Sequence, residues 1–333
     1  MLTLITTFKC SSACLNCCFE CNPNKEEKIS YNDAERYIRT SLATFNSIKV
    51  VVLTGGESFL DLPFLIKLIN NYGLICRVVT NGFWAKSYEN AVRILKLCKE
   101  AGLNEINYST GDEHLEFVPL ESVVNGIKAA LDLELITVVN IESAEERNFK
   151  MCDLIKNEGL KPYINSNKAR ILKFTNGIWM PFTQEGLKSL PKLYTKIAHP
   201  CKQRCTNLFS AITISPTNRL YACCGLPVKY IKYLDLGDVH IHEIEALYKQ
   251  QFDDFMKIWL FVDGPYRILM FLEEKLGHEI PECRVLSHSC FYCACLFTNK
   301  QYLSAAKRYY RDRYYSVMLK FSFLIKQMNN IKK

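Results

Sequence analysis

The sequence contains no run of apolar residues long enough to cross a membrane as a helix, which takes about 20 residues. The longest candidate, residues 258–271, is interrupted by Asp263, Gly264, Pro265 and Arg267. The start of the chain also lacks the charged region, the long apolar core and the cleavage site of a secretory signal peptide. We therefore expect a cytoplasmic protein with no membrane span.

Long low-complexity segments are absent too. The sequence is 49% apolar and 23% charged, which are the proportions of a globular protein and exclude a largely disordered chain. The formal net charge is +8, but no basic and aromatic module of the nucleic-acid-binding kind accompanies it, so we expect no nucleic-acid partner. A length of 333 residues predicts one large domain with a smaller one attached.

Cysteine is the residue that the chain has in excess, with 16 copies. Disulfides are rare in a reducing compartment, so clustered cysteines there are better interpreted as metal ligands or catalytic thiols. One cluster begins at Cys10, and cysteines return in number from Cys201 onward. Metal or thiol chemistry is therefore expected in both halves of the chain.

Short β-branched runs alternate with helical patterns through the first half, which predicts βα units around a parallel sheet. Six such units are too few for a closed eight-stranded barrel, so the fold class is α/β, a partial (β/α)6 barrel of the TIM type. Its active site is expected at the carboxyl ends of the strands. The predicted strands are Leu2–Thr7, Lys49–Thr54, Leu74–Thr80, Glu105–Ser109, Leu135–Ile141 and Ala169–Phe174. The predicted helices start with the cap Asn32 and continue at Leu62–Tyr72, Ser87–Ala101, Leu120–Leu131 and Ala144–Asn157.

The helical and strand patterns fade near residues 181–200, where we place the domain boundary. We predict a barrel over residues 1–198, a cysteine-rich domain over 199–300 and a basic amphipathic helix over 301–333. Ala211–Ser215 and Leu220–Cys224 predict a β-hairpin that ends at a cysteine pair. Two helices, Ile241–Phe261 and Gly264–Lys275, separate this hairpin from the last cysteines. The tail is expected to pack on the body of the protein.

Three cysteines near the start have the spacing Cys10-x3-Cys14-x2-Cys17, on a loop after the first strand. Thiolates so spaced can hold three corners of a [4Fe–4S] cubane and leave the fourth iron without a protein ligand. S-adenosylmethionine can chelate that iron, and an electron passed through the cluster can cleave its sulfonium to a 5′-deoxyadenosyl radical. A zinc site is the alternative, because Cys18 or Cys21 can supply a fourth thiolate.

A second motif, Gly55-Gly56-Glu57, follows the second predicted strand. Glycines let a ligand approach the backbone, and the Glu57 carboxylate can accept a hydrogen bond from an ammonium group. Alone, this sequence is an ordinary turn. At a strand end and after a cysteine triad, it resembles the motif that binds the amino group of S-adenosylmethionine.

These motifs resemble those of the radical S-adenosylmethionine superfamily over roughly residues 1–175. A narrower likeness, to the epimerases of ribosomally synthesised peptides, covers nearly the whole chain. It rests on the segments Cys14-Leu-Asn-Cys-Cys-Phe-Glu-Cys21-Asn-Pro, Leu53-Thr-Gly-Gly-Glu-Ser-Phe-Leu-Asp61, Thr80-Asn-Gly-Phe-Trp84, Leu220-Tyr-Ala-Cys-Cys224 and Ser289-Cys-Phe-Tyr-Cys293.

The resemblance implies a reaction: the deoxyadenosyl radical takes hydrogen from a peptide Cα, and a cysteine thiol returns hydrogen to the opposite face. It implies cofactor contacts at Asn81 and Ser109 besides the Gly55–Glu57 turn, and it makes Cys224 the hydrogen donor. A four-thiolate set for an auxiliary [4Fe–4S] cluster is implied at Cys205, Cys223, Cys290 and Cys293. Spare ligands are Cys201, Cys283 and Cys295, and a structural zinc site built from the same residues is the alternative.

The implied partners are a precursor peptide made on the ribosome and an electron donor such as flavodoxin or ferredoxin. No winged-helix peptide-recognition domain is expected before the first strand, so leader binding would use the barrel, the C-terminal domain or another protein. One departure from the epimerases is Ser210-Ala211, where an acidic residue is expected. Asp112, Glu113 and His114, just past the fourth strand, have two interpretations: they supply polar groups to the site, or they form a solvated loop, which is the preferred one.

Two other functions compete with epimerisation. The first is a crosslinking enzyme with the same machinery, which forms thioether or carbon–carbon bonds in a peptide and needs no thiol donor. The second is a cysteine-rich metal-binding module without catalysis, which would hold zinc and leave S-adenosylmethionine intact.

Overall fold

The computed structural model describes residues 1–69, 72–143, 147–178, 202–278 and 288–330. The chain divides into two compact units. Unit 1 contains residues 1–180 together with Ile214–Asn218, and unit 2 contains residues 181–213 and 219–333. The domain boundary predicted at residues 198 and 199 lies outside the described residues.

Unit 1 is built on six parallel strands in the order β6-β5-β4-β3-β2-β1. Because this order follows the chain, each strand pairs with the next one after a single crossover. The six strands are β1 (Leu2–Thr7), β2 (Val50–Gly55), β3 (Ile75–Thr80), β4 (Leu103–Thr110), β5 (Ile136–Ser143) and β6 (Leu172–Ile178). The α/β class with six βα units is therefore confirmed.

Helices connect these strands and cover the sheet. They are α1 (Tyr31–Thr44), α2 (Leu62–Ile69), α3 (Tyr88–Ala101), α4 (Asp112–Leu115), α5 (Leu120–Asp132), α6 (Met151–Ile155) and α7 (Lys161–Ile164). All six residues of β1 are buried, as expected for a parallel strand covered on both faces. The polar ends of the strands, rather than their apolar middles, are therefore available for a site.

Two predicted helices differ from the structure. The sequence predicts Asn32 as the first cap, whereas α1 is capped by Ser30, whose Oγ accepts the Asp33 N–H at 3.1 Å. Over Ala144–Asn157 the described residues form only the short helix α6, with residues 144–146 outside the described part. The Asp112 carboxylate accepts the N–H groups of Asn148 and Phe149, so these groups are not available for the hydrogen bonds of a longer helix.

Unit 2 is mainly helical. Its strand pair is antiparallel, with β8 against β9. The short strands are β7 (Ile212–Ile214), whose last residue belongs to unit 1, β8 (Arg219–Tyr221) and β9 (Asp235–Asp238). The helices are α8 (Ile244–Lys249), α9 (Phe255–Asp263), α10 (Pro265–Leu276), α11 (Ser289–Thr298), α12 (Lys300–Tyr309) and α13 (Arg311–Asn330). The single helix predicted over Ile241–Phe261 is thus divided into α8 and α9.

Asp254 causes that division. Its Oδ1 accepts the N–H groups of Met256 (3.0 Å) and Lys257 (3.2 Å), which makes it the N-cap of a new helix, α9. The end of the chain packs on this region through Val317 and Phe321, which are 0% and 9% exposed. No helix in the described part of the chain has both the length and the apolar composition needed to span a membrane.

Candidate functional site

The cysteines of the first motif lie on a loop between β1 and α1. Two main-chain bonds fold this loop: the Cys10 N–H donates to the Asn22 carbonyl (3.1 Å), and the Cys17 N–H donates to the Cys14 carbonyl (3.2 Å). All three cysteine side chains are half-buried. The loop therefore keeps Cys10, Cys14 and Cys17 at the carboxyl end of β1, where the active sites of such folds gather.

Two of these three sulfurs accept hydrogen bonds from the main chain. The Ser12 N–H donates to Cys10 Sγ and the Cys21 N–H donates to Cys17 Sγ, each at 3.4 Å. Asn81 Nδ2 donates to Cys10 Sγ at 3.7 Å. Donors of this kind stabilise a thiolate, which is the form of cysteine that binds metal. The loop thus fits a thiolate-ligated cluster.

The pKa values of these thiols differ because their surroundings differ. Burial raises the pKa of Cys10 to about 11 and also raises the pKa of Cys14. A hydrogen bond from the Cys21 side chain lowers the pKa of Cys17 to about 6. Metal binding must therefore displace protons from Cys10 and Cys14, whereas the lowered pKa of Cys17 favours its thiolate form.

The glycines of the Gly55–Glu57 turn are required by a close approach of two backbones. A Cβ on Gly56 would lie 2.0 Å from the Lys9 carbonyl oxygen, and one on Gly55 would lie 2.4 Å from the Thr7 carbonyl oxygen. In that space the Gly56 N–H donates to the Thr7 carbonyl (2.7 Å) and the Glu57 N–H donates to the Lys9 carbonyl (2.8 Å). The turn therefore packs directly on the segment that enters the cysteine loop.

The Glu57 side chain is fully buried and ties the ends of β2 and β3 together. Its carboxylate accepts the Asn81 N–H (2.8 Å), the Phe59 N–H (3.1 Å) and the Thr80 hydroxyl (3.0 Å). Burial raises the pKa of Glu57 to about 7. Because protein donors already surround its carboxylate, Glu57 organises the turn, and its contact with a cofactor amino group stays a prediction.

Asn81 joins the end of β3 to the cysteine loop. Its Nδ2 donates to Ser11 Oγ (2.9 Å) and to Ser12 Oγ (3.1 Å). The structure thus brings Cys10, the Gly55–Glu57 turn and Asn81 into one hydrogen-bonded assembly. Three motifs that lie far apart in the sequence meet there.

Ser109, one residue before the end of β4, belongs to a polar row that crosses β4, β5 and β6. It is half-buried and pairs in register with Asn140, which in turn pairs with Thr175. The Thr175 hydroxyl donates to Asn140 Oδ1 at 3.2 Å. Sequence reasoning named Ser109 only from the family resemblance and missed Asn140 and Thr175, which are its neighbours in the strand register.

The interpretation of Asp112–His114 as a solvated loop is wrong. Glu113 and His114 are 4% and 6% exposed, and the segment forms the short helix α4. Glu113 accepts the Asn16 N–H at 2.8 Å and pairs with Arg147 at 2.6 Å. Asn16 lies inside the cysteine motif, so this segment contacts the loop instead of facing water.

The four cysteines expected to hold an auxiliary cluster all line one cavity of about 220 Å³ in unit 2. Gly225 packs against two of the sulfurs: a Cβ built on it would be 3.3 Å from both Cys223 Sγ and Cys290 Sγ. Cys290 and Cys293 are on α11. The cavity-lining cysteines are Cys205, Cys223, Cys290 and Cys293.

His288 also lines this cavity and was missed by sequence reasoning. Its Nδ1 accepts the Cys290 N–H at 3.2 Å, which caps α11 and places Cys290 in the first turn of that helix. Burial raises the pKa of Cys223 and of Cys293. Neutral thiols here would have to lose protons when they bind metal.

Cys224 and Cys295 are not among the described residues that line the cavity. Cys224 is half-buried and Cys295 is buried. The other spare cysteines, Cys201 and Cys283, lie outside the described residues. In the described part of the chain, no group of three or more His, Cys, Asp or Glu side chains is arranged to hold a metal ion as it stands.

No family model matches this sequence. Over 123 residues the chain is 28% identical to "Putative peptide biosynthesis protein YydG" of Bacillus subtilis (strain 168). That alignment covers 35% of this chain and 37% of the relative, so the likeness spans little more than a third of either protein.

Solved structures provide a second comparison. The chain matches the structure "Native anSMEcpe with bound AdoMet" with a TM-score of 0.51 at 13% identity, over 97% of this chain and 100% of that one. It also matches SuiB of Streptococcus suis, with a TM-score of 0.42 at 14% identity, over 74% of this chain and 65% of that one. The first likeness shows a shared fold; the second is too low to add to it.

Proposed function

We propose that this chain, which has the fold and the cysteine motif of the radical S-adenosylmethionine superfamily, is an enzyme that modifies a peptide. One observation carries the proposal. The Cys10-x3-Cys14-x2-Cys17 loop, the Gly55–Glu57 turn and Asn81 form a single hydrogen-bonded assembly at the carboxyl ends of β1, β2 and β3.

Cys10, Cys14 and Cys17 would hold a [4Fe–4S] cluster. When bound, the cluster and S-adenosylmethionine supply a 5′-deoxyadenosyl radical. Two features of the chain itself support binding of the cluster. Main-chain N–H groups stabilise the thiolates of Cys10 and Cys17, and the turn and Asn81 fix the approach to the loop. Ser109 extends the polar surface along β4.

A peptide substrate is supported by the relatives. YydG is named as a putative peptide biosynthesis protein, and one structure with the same fold is described as "Native anSMEcpe with bound AdoMet and Cp18Cys peptide", with a TM-score of 0.51 at 13% identity. We therefore propose a ribosomally made precursor peptide as the substrate, processed in the cytoplasm. A one-electron donor such as flavodoxin or ferredoxin would complete the system.

The finer outcome that we propose is epimerisation. A carbon radical at the peptide Cα is planar, so the face that receives hydrogen decides the configuration of the product. Burial raises the pKa of Cys224, which keeps its thiol in the S–H form that a hydrogen donor needs. Cys224 would give up one hydrogen atom and become a thiyl radical. One electron from the flavodoxin or ferredoxin and one proton would then restore the Cys224 thiol.

An auxiliary [4Fe–4S] cluster is the proposed role of the cavity in unit 2. Its four thiols suffice for a closed cluster, and Gly225 leaves room between two of them. Cys224 follows one of these ligands, Cys223, directly in the sequence. A cluster bound there would be ligated by the residue that directly precedes the proposed hydrogen donor.

Exchange of hydrogen in deuterated water tests this proposal. Wild-type protein, the Cys224→Ala variant and a control, Cys152→Ala, are each reconstituted anaerobically and treated with S-adenosylmethionine, reductant and the precursor peptide. Cys152 is exposed and lies on α6, so its loss should change nothing. We expect roughly eight irons per chain, and one deuterium per altered residue in wild type and Cys152→Ala only.

Other results would redirect the assignment. Deuterium incorporation that survives in the Cys224→Ala variant would exclude this cysteine as the donor. A peptide that loses two hydrogens in all three proteins would mean crosslinking. About four irons would remove the auxiliary cluster, and zinc with intact S-adenosylmethionine would exclude the radical chemistry altogether.

A further inference from the structure

Two buried carboxylates share one guanidinium beside the cysteine loop. Glu113 and Glu142 are 4% and 2% exposed. One nitrogen of Arg147 lies 2.6 Å from Glu113 Oε1 and 2.7 Å from Glu142 Oε1. Buried charges are costly unless they are paired and hydrogen-bonded. This group of three is here called the Arg147 triad, and removal of one member would leave a buried charge without its partner.

The backbone after β4 is shaped to admit the triad. Gly111 has φ +144°, and a Cβ on it would lie 2.1 Å from Glu142 Cβ, so glycine alone lets the Glu142 side chain pack there. The Glu113 N–H then donates to Glu142 Oε2 at 3.0 Å. This hydrogen bond links the segment after β4 directly to β5, in addition to the ion pairs that both carboxylates form with Arg147.

The neighbouring residue Asp112 holds the segment that carries the arginine. Its carboxylate accepts the N–H of Asn148 at 2.7 Å and the N–H of Phe149 at 2.9 Å. These bonds fix the main chain next to Arg147. Gly111 therefore contacts Glu142 near the end of β5, whereas Asp112 and Glu113 contact the segment that follows β5.

The triad reaches the cysteine loop through Asn16. Glu113 Oε2 accepts the Asn16 main-chain N–H at 2.8 Å, and Glu113 Oε1 accepts the Asn16 side-chain amide. The Cys14 thiol also donates to the Glu113 carbonyl at 3.8 Å. Asn16 lies between Cys14 and Cys17 in the motif, and it is 7% exposed. The Glu113 carboxylate therefore accepts hydrogen bonds from both the main chain and the side chain of Asn16.

We propose that the Arg147 triad is a positioning device that fixes the Cys14–Cys17 segment so that the loop is already ordered before it binds its cluster. The inference rests on the proposed function only for what the loop binds; the ordering itself is a property of the chain. Glu113, Glu142 and Arg147 are positioning residues, since they act on the cysteines through Asn16 and the Glu113 carbonyl.

The chain contains a matched control for this idea. Arg77 and Glu105 form another ion pair of unit 1 with a buried carboxylate, at 2.8 Å, and Glu105 is 7% exposed. They pair in register on β3 and β4, and no described contact joins them to the cysteine loop. Arg77→Gln removes a similar ion pair from the same sheet, while Arg147→Gln removes the one that touches the loop.

Amide hydrogen exchange in the metal-free protein tests the ordering directly. We expect exchange of the Asn16 amide to accelerate about tenfold to a hundredfold in Arg147→Gln, because Glu113, the charged acceptor of the Asn16 N–H, loses the guanidinium that holds its carboxylate in place. Exchange should stay unchanged in Arg77→Gln. In reconstituted protein, the rate of iron release to a chelator should rise by about ten- to a hundredfold in Arg147→Gln alone. Arg147→Lys should restore part of this, because an ammonium can still pair with one carboxylate.

A milder variant keeps the test valid if Arg147→Gln fails to fold. Asn16→Ala leaves the Arg147 triad intact and removes only the side-chain contact, so it should accelerate iron release without a comparable loss of stability. Equal effects of Arg147→Gln and Arg77→Gln, or an Asn16 amide that exchanges at the wild-type rate in Arg147→Gln, would overturn the inference. Wild-type protein that takes up no iron would instead contradict the proposed function, and the metal-free exchange measurement would still decide on the triad.

Discussion

Replacing Gly56 by alanine should damage the junction between the Gly55–Glu57 turn and the cysteine loop. The added Cβ would lie 2.0 Å from the Lys9 carbonyl oxygen and 2.6 Å from its carbonyl carbon. Ordinary contact is about 3.5 Å, so the two backbones must separate by roughly 1.5 Å. Both obstructing atoms are main-chain atoms, so rotation of a side chain cannot relieve the clash.

Such a separation breaks two hydrogen bonds, Gly56 N–H to Thr7 (2.7 Å) and Glu57 N–H to Lys9 (2.8 Å). At about 0.5–1.5 kcal/mol for each bond and about 1–3 kcal/mol for overpacking, we expect Gly56→Ala to lower the free energy of unfolding by about 2–6 kcal/mol. Urea denaturation of the metal-free protein measures this change. Iron retention after reconstitution should fall as well, because the displaced Lys9 precedes Cys10.

Gly73→Ala is the matched control. Gly73 has φ +71°, and a Cβ on it would meet none of the described atoms within 4 Å. Its cost is backbone strain alone, about 1–2 kcal/mol, with no change in iron content. If Gly56→Ala were no more destabilising than Gly73→Ala and kept its iron, the close approach of the turn to the cysteine loop would be refuted.

Three further predictions concern separate features. Gly225→Ala places a methyl group 3.3 Å from two cavity sulfurs and should reduce reconstituted iron from roughly eight to about four per chain; unchanged iron would contradict the cavity assignment. Ser30→Ala removes the cap of α1 and should lower the free energy of unfolding by about 1 kcal/mol, seen in urea melts, without affecting iron. Burial raises the pKa of Glu57 from 4.5 to about 7, so the folded state binds more protons than the unfolded one between these values. The contribution of Glu57 to the free energy of unfolding of the metal-free protein should therefore fall as pH rises from about 5 to 7. In melts at several pH values, Glu57→Gln should reduce this dependence of stability on pH.

The sheet of unit 1 could be predicted because its strands are short runs rich in apolar and β-branched residues, and β1 is buried over all six of its residues. Predicted and observed bounds agree within a few residues for β1, β2 and β3, for example Lys49–Thr54 against Val50–Gly55. Local patterns suffice there, because burial of a whole strand needs no knowledge of distant partners.

Side-chain partners were the part that the sequence could not supply. Asp112 and Glu113 have the composition of a solvated loop, yet their carboxylates are occupied by Asn148 and Asn16, which lie 36 and 97 positions away in the chain. Asn140 and Thr175 were missed for a related reason. Their place beside Ser109 comes from the register, which only the pairing of the strands defines.

The cysteine sets could be predicted from the sequence only in part. Spacing predicted the loop of Cys10, Cys14 and Cys17, since three ligands close in sequence need only a local fold. The set of Cys205, Cys223, Cys290 and Cys293 came from a family resemblance, and all four line one cavity. His288 had no comparable signal, because its role depends on capping α11.

The most direct test of the central claim is cleavage of S-adenosylmethionine by the anaerobically reconstituted protein under reducing conditions. We expect 5′-deoxyadenosine to form with wild-type protein and to disappear with Cys14→Ala, while the control Cys152→Ala behaves as wild type. Intact S-adenosylmethionine in the presence of a wild-type protein that holds zinc in place of iron would contradict the account.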